Sequence, residues 1–313
     1  MRKDIIIDCD PGLDDAVALL LAAGDDRVNL LGVTTVGGNQ SLEKVTYNAR
    51  AVLGLAHADD VPVRAGCPRP LVREGRVAAS IHGDSGLGDV ELPAPVRPLD
   101  PGHAVPWIID TIMAREPGST TLVAIGPLTN IALAARLEPR IVDRVREVVL
   151  MGGAVHTGNS SPVAEFNIRT DPEAAHIVFN EAWPITMMGL DLTHQALCTR
   201  EVQEGIDALG TDLARTVSKL IDGYRAAYQQ DRAFPNPPIH DPCAVAYVID
   251  PQVVQTRRCP VDVELQGALT LGMTVADLRG AEPGPDECHT QVGMQLDASM
   301  FWQMVTAAIE KLG

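Results

Sequence analysis

DIIIDCDPGLDDAVALLLAA, residues 4–23, reads as a buried strand, a tight turn and a helix in immediate succession. Asp4–Asp8 is a short run rich in isoleucine, Pro11 and Gly12 force the turn, and Leu13–Ala23 is apolar at helical length. The same alternation recurs downstream. Val28–Val36, Thr121–Ile125, Glu147–Met151 and Ile185–Gly189 read as strands, and Leu42–Ala56, Leu128–Leu137 and Pro172–Phe179 as helices. Strands that alternate with helices predict an α/β fold: a mainly parallel central sheet flanked by helices on both faces. The second half is more helical, with patterns over Glu201–Leu209, Asp212–Gln229, Pro242–Ile249 and Ala298–Lys311, and Val261–Leu265 as an added strand. No repeat, low-complexity tract or linker divides residues 1–313, which read as one domain. Gly66–Gly102 is rich in Gly and Pro and lacks periodicity; a segment of that length suits a mobile lid over a site.

Of the 313 residues, 46% are hydrophobic, enough for a sizeable core. The balance of 25 Lys and Arg against 41 Asp and Glu leaves a net charge of −16, which repels phosphate backbones and anionic lipids. A neutral small-molecule substrate fits better than nucleic acid or a membrane. No run reaches the length of a membrane span, and the N-terminus lacks a secretory apolar region, so a cytoplasmic location is expected. The six cysteines are scattered without a CxxC pair, which disfavours a zinc site or a disulfide framework.

Asp8, Asp10, Asp14 and Asp15 crowd one strand-to-helix turn at the strand's carboxyl end, where open α/β sheets bind ligands. Carboxylates held this close stay ionised together only around a cation, and an all-oxygen set favours Ca²⁺ or Mg²⁺. Helix-dipole complementarity accounts for Asp14 and Asp15 but not for all four. A rival is the DxD motif of haloacid-dehalogenase-type phosphatases, whose first Asp is a nucleophile. Gly12 stands where that motif usually has Thr or Val, and the net acidity does not help a phosphorylated substrate.

Other strand ends add polar groups. His240 and Asp241 precede a helix opened by Pro242; Asp241 could simply cap it, and His240 can move protons near neutral pH. The loop after Met151 carries Asn159, Glu165 and Asn167, side chains suited to several hydroxyls, with Asp171 placed to cap the next helix. Asn39 ends the second strand, and the Ile125 carbonyl ends another. Tyr224 and Tyr228, at i and i+4, share a helix face that could equally be core. His82 sits in the candidate lid. The convergence of these loops on one sheet edge is the informative feature.

DCDPGLDDAVALLLA, TTVGGN, IGPLTNIA, LMGGA, AEFNIRTDPEAA and HDPCAVA, in that order, resemble the inosine–uridine nucleoside hydrolase family over essentially the whole chain. The resemblance implies an α/β fold with one Ca²⁺ at the sheet's carboxyl edge. It implies that Asp10, Asp15, Asp241 and the Ile125 carbonyl hold that ion, although Thr is common at the position of Ile125. It further implies that Asp14 is the general base, that His240 assists the leaving base, and that Asn39 contacts ribose hydroxyls. Asn159, Glu165 and Asn167 would bind ribose, Met151 would pack on it, and Tyr224 and Tyr228 would line the base pocket. Relatives of this kind are commonly homotetramers or homodimers. A non-catalytic ribose- or nucleoside-binding module is the third reading; Asp14 and His240 are superfluous to it.

Overall fold

The computed structural model describes residues 2–231, 234–280 and 283–313. Its first third runs β1 (Lys3–Cys9), α1 (Leu13–Gly24), β2 (Val28–Thr35), α2 (Leu42–Leu55), β3 (Val63–Ala65), α3 (Ala79–His82) and α4 (Ala104–Met113). The middle runs β4 (Thr120–Ala124), α5 (Thr129–Leu137), β5 (Val145–Met151), α6 (Phe166–Thr170), α7 (Pro172–Phe179), β6 (Ile185–Met188) and α8 (Leu190–Thr193). The last part holds α9 (Arg200–Asp207), α10 (Asp212–Asp231), α11 (Pro242–Ile249), β7 (Val254–Arg258), β8 (Val261–Val263), β9 (Thr274–Ala276), β10 (Thr290–Leu296) and α12 (Ala298–Leu312).

Eight strands form one sheet in the order β3-β2-β1-β4-β5-β6-β10-β7. Every neighbouring pair is parallel except β10 with the edge strand β7. Parallel strands need crossover helices, and these cover both faces. One apolar layer gathers Ile5, Ile7 and Cys9 of β1 with α1, α11 and α12; the other gathers Ile6 with α4, α5 and α7. Alternate residues of one strand thus feed opposite layers. Burial of β1 and β4 is complete from Ile5 to Cys9 and from Thr120 to Ala124, which is why both read as continuous apolar runs.

The expected alternation holds, and the ranges of α7 and α11 coincide with those read from sequence. Eight elements had no sequence assignment: the strands β3, β7, β9 and β10 and the helices α3, α4, α6 and α8. The strand expected over Val261–Leu265 is shorter and lies outside the main sheet, paired antiparallel with β9. Its alternating pattern, buried-exposed-buried, matches a two-stranded flap with one solvent face. Among the described residues no helix is long and apolar enough to cross a membrane.

Candidate active site

The order in which strands are added reverses between β1 and β4: β2 and β3 extend the sheet one way, β4 to β6 the other. A crevice opens at the carboxyl ends of such a pair. A cavity of about 270 Å³ lies there, lined by Asp14, Asn39, His82, Ile125, Met151, Asn159, Glu165, Asn167, Tyr224, Tyr228, His240 and Asp241. Asp10 and Asp15 are fully buried and join it through their neighbours.

Ligand oxygens of Asp14, Asp15 and Asp241 lie within 4.8 Å of one another. Asp241 occupies the N-cap position of α11 but makes no side-chain cap bond. Its carboxyl faces the other acids, so simple capping does not explain it. Asp15 Oδ2 accepts from Gly12 N at 2.9 Å and from Asn39 Nδ2 at 3.2 Å, and Oδ1 accepts from Asp10 N at 3.2 Å. Asp10 Oδ2 accepts from Asn39 N at 2.6 Å, while its Oδ1 is buried with no hydrogen-bond partner among the described residues. Burial, then the Asp15 charge, pushes Asp10 well above the usual carboxylate range. Burial and the Asp14, Asp15 and Asp10 charges do the same to Asp241, and burial with Asp14 pushes Asp15 up to about 7. These acids cannot all ionise unless positive charge lies among them. An orphaned buried oxygen within an all-carboxylate set fits a hard divalent cation.

The opposite wall is set by one amide. Asn167 Nδ2 donates to Ile125 O at 3.0 Å and to Met151 O at 3.1 Å, tying the ends of β4 and β5 together. Each carbonyl oxygen keeps a second lone pair. Glu165 caps α6: Oε1 accepts from Asn167 N at 2.8 Å, and Oε2 from Gly153 N at 3.0 Å and Ile168 N at 3.1 Å. Burial still raises its carboxyl to about 7. Asp171 caps α7, accepting from Ala174 N at 3.0 Å, as expected.

His82 comes from the long segment after β3. Its Nδ1 accepts from Leu13 N at 3.1 Å, satisfying a free donor of the first turn of α1. That bond leaves the proton on Nε2, and burial lowers the imidazole's pKa. A Cβ on Gly12 would stand 2.4 Å from His82 Nδ1, so only glycine admits this approach. Behind His82, Gln40 Nε2 donates to Gly83 O at 2.8 Å, Lys44 Nζ to Asp84 O, and Asn48 Nδ2 to Ser85 O at 2.9 Å. Residues 40, 44 and 48 are spaced at i, i+4 and i+8 and grip three successive carbonyls.

Tyr224 and Tyr228 face the cavity. The Tyr224 hydroxyl lies 3.2 Å from Asp14 Oδ2 and 3.4 Å from the Tyr228 hydroxyl. Tyr228 Oη is 2.6 Å from His240 Nε2, and Thr193 Oγ1 is 2.7 Å from His240 Nδ1. Both ring nitrogens of His240 therefore meet hydroxyls that can donate or accept. Sequence reading missed Thr193; nothing local in GLDLTHQ marks it, because its partner lies 47 residues away.

The family model described as inosine-uridine preferring nucleoside hydrolase matches residues 5–303. The inosine-uridine preferring nucleoside hydrolase of Crithidia fasciculata is 57% identical over 314 residues, covering 100% of this chain and 99% of that protein. A pyrimidine-specific ribonucleoside hydrolase of Escherichia coli O157:H7 is 41% identical, covering 98% and 97%. Among solved structures, a purine-preferring ribonucleoside hydrolase from Gardnerella vaginalis superposes with a TM-score of 0.92 at 34% identity, covering 99% of both chains.

Proposed function

The chain belongs to the inosine–uridine preferring nucleoside hydrolase family, and from that premise we propose how its residues share the work of the reaction. It is a glycosidase acting on N-glycosyl compounds and hydrolyses ribonucleosides, so the phosphatase and binding-module readings fall away. The relatives are named for different bases: inosine and uridine, pyrimidines, or purines.

Asp10, Asp15, Asp241 and the Ile125 carbonyl would hold Ca²⁺; what supports this is the orphaned Asp10 Oδ1 beside the acid trio. When bound, the ion orients the sugar diol and a water and lowers that water's pKa. Asp14 takes the water's proton as general base, a contribution of about 10²–10⁴-fold. Its carboxylate neighbours also stabilise the positive charge that develops on ribose in an oxocarbenium-like transition state. Asn39, Asn159, Glu165 and Asn167 orient the ribose hydroxyls, with Met151 against the ring. The departing base gains negative charge and needs a proton. The Tyr228–His240 pair, held at 2.6 Å, supplies it, with Thr193 fixing the other imidazole nitrogen. His82, neutral with Nε2–H, is a donor for substrate.

The carrying observation is the approach of Asp14, Asp15 and Asp241 within 4.8 Å at the buried floor of the cavity. The test is release of reducing sugar from a nucleoside panel, with and without chelator and with Ca²⁺ or Mg²⁺ restored. Activity that survives exhaustive chelation sinks the cation assignment. We further read residues 1–313 as one cytoplasmic domain that assembles as a homodimer or homotetramer; sedimentation tests the assembly.

A further inference from the structure

Asn130 is wholly buried in the first turn of α5 and is absent from the cavity lining, yet its one amide joins three strand ends. Nδ2 donates to Asp8 Oδ1 at 2.8 Å and to Thr35 O at 3.0 Å. Oδ1 accepts from Cys67 N at 2.9 Å, in the segment after β3. Both amide hydrogens and the carbonyl are thus used. A Cβ on Gly66 would stand 2.3 Å from Asn130 Oδ1, so the segment is drawn hard against the amide.

The acid floor hangs from these same segments. Cys67 O accepts from Gly37 N at 2.8 Å, and Cys9 O accepts from Val36 N at 3.0 Å. Two residues beyond Gly37, Asn39 donates its N–H to Asp10 Oδ2 at 2.6 Å and its Nδ2 to Asp10 O and Asp15 Oδ2, both at 3.2 Å. Those bonds decide which Asp10 oxygen is occupied and which stays open.

We infer that Asn130 is a positioning residue for the cation site: by fixing the ends of β1, β2 and β3 to α5 it sets the 37–39 turn, and through Asn39 it aims Asp10. This rests on the cation reading above. Groups that orient a ligand from behind commonly change metal affinity 10–100-fold when altered.

Asn130→Asp keeps the size and the acceptor for Cys67 N but turns two donors into an acceptor facing Asp8 and Thr35 O. Asn130→Ala removes the amide without adding charge. Thr129→Val is the control: it deletes the adjacent buried bond from Thr129 Oγ1 to Asp171 Oδ2, 2.6 Å, which does not touch the β1–β3 ends. Calorimetric titration with Ca²⁺ alone, beside melting in chelator, reads affinity apart from fold stability. Both Asn130 variants should weaken Ca²⁺ binding at least tenfold, and Thr129→Val less than twofold at a comparable loss of melting temperature. If the parent protein binds no Ca²⁺, the cation reading fails and takes this inference with it. If the parent binds and either folded Asn130 variant stays within twofold, or Thr129→Val weakens binding as much, this inference alone is overturned. Failure of both Asn130 variants to fold assigns Asn130 to general stability and overturns it equally.

Discussion

The Tyr224 hydroxyl stands 3.2 Å from Asp14 Oδ2 and 3.4 Å from the Tyr228 hydroxyl, so one phenol adjoins both the carboxylate proposed as the base and the pair proposed as the acid. Tyr224 is buried, and burial, then the Asp14 charge, holds its pKa well above the ordinary phenol range, so it acts as a neutral donor. Tyr224→Phe should lower kcat on inosine about tenfold, by freeing Asp14 from its donor, without changing Ca²⁺ affinity. An unchanged kcat shows that Asp14 does not depend on this bond.

Asp14→Asn separates catalysis from metal retention. The amide keeps the side chain's volume but cannot take a proton. Turnover should fall by about 10²–10⁴-fold while calorimetry still detects Ca²⁺ binding. Near-normal turnover removes Asp14 as the base; joint loss of binding reassigns it as a ligand.

His240→Ala tests leaving-group protonation. Inosine carries a base that departs poorly without a proton, whereas p-nitrophenolate departs unaided. Inosine cleavage should drop by about 10²-fold or more, and p-nitrophenyl riboside should be largely spared. An equal loss on both substrates would falsify the acid role. Thr193→Val, which leaves Tyr228 in place, should show the same selectivity in weaker form.

Glu165 supplies a pH dependence separate from the cation ligands. Its folded pKa of about 7 lies above the ordinary 4.5. Between those values the folded chain holds more protons than the unfolded one, so stability falls as pH rises. The contribution is complete below pH 4.5 and lost as pH passes 7. In chelator, melting temperature should therefore decline from pH 5 to 8. Glu165→Gln, which cannot ionise, should flatten part of that slope by a few degrees. Parallel profiles for the two proteins would contradict it.

What was legible in the sequence was local. The β1–turn–α1 stretch carries its strand, its break and its acids within twenty residues, and β4 and β5 are buried enough to read as apolar runs. By contrast, β7 exposes Gln255 to Arg258 at the sheet edge, so VQTRR carries no strand signature of its own. β10 alternates irregularly, with the polar Gln291 bonded to Thr186 and Tyr247 on other elements and Gln295 exposed. Asp241 could not be told from a helix cap by its sequence; only its missing cap bond and its three acidic neighbours make the distinction. Asp14 was expected as a base beside the metal ligands, and it lies in the tight trio itself, whereas Asp10, outside that trio, accepts from Asn39 N. The joining of Asp8, Thr35 and Cys67 by Asn130 spans separations up to 122 residues, beyond any motif spacing.

Gln40, Lys44 and Asn48 hold residues 83–85 by their carbonyl oxygens, which every amino acid supplies alike. The anchorage behind His82 is accordingly blind to the identity of Asp84. Exchanges there leave the imidazole where it is. The cavity-lining side chains just before His82, Ser80 and Ile81, can then be exchanged while the seating stays untouched.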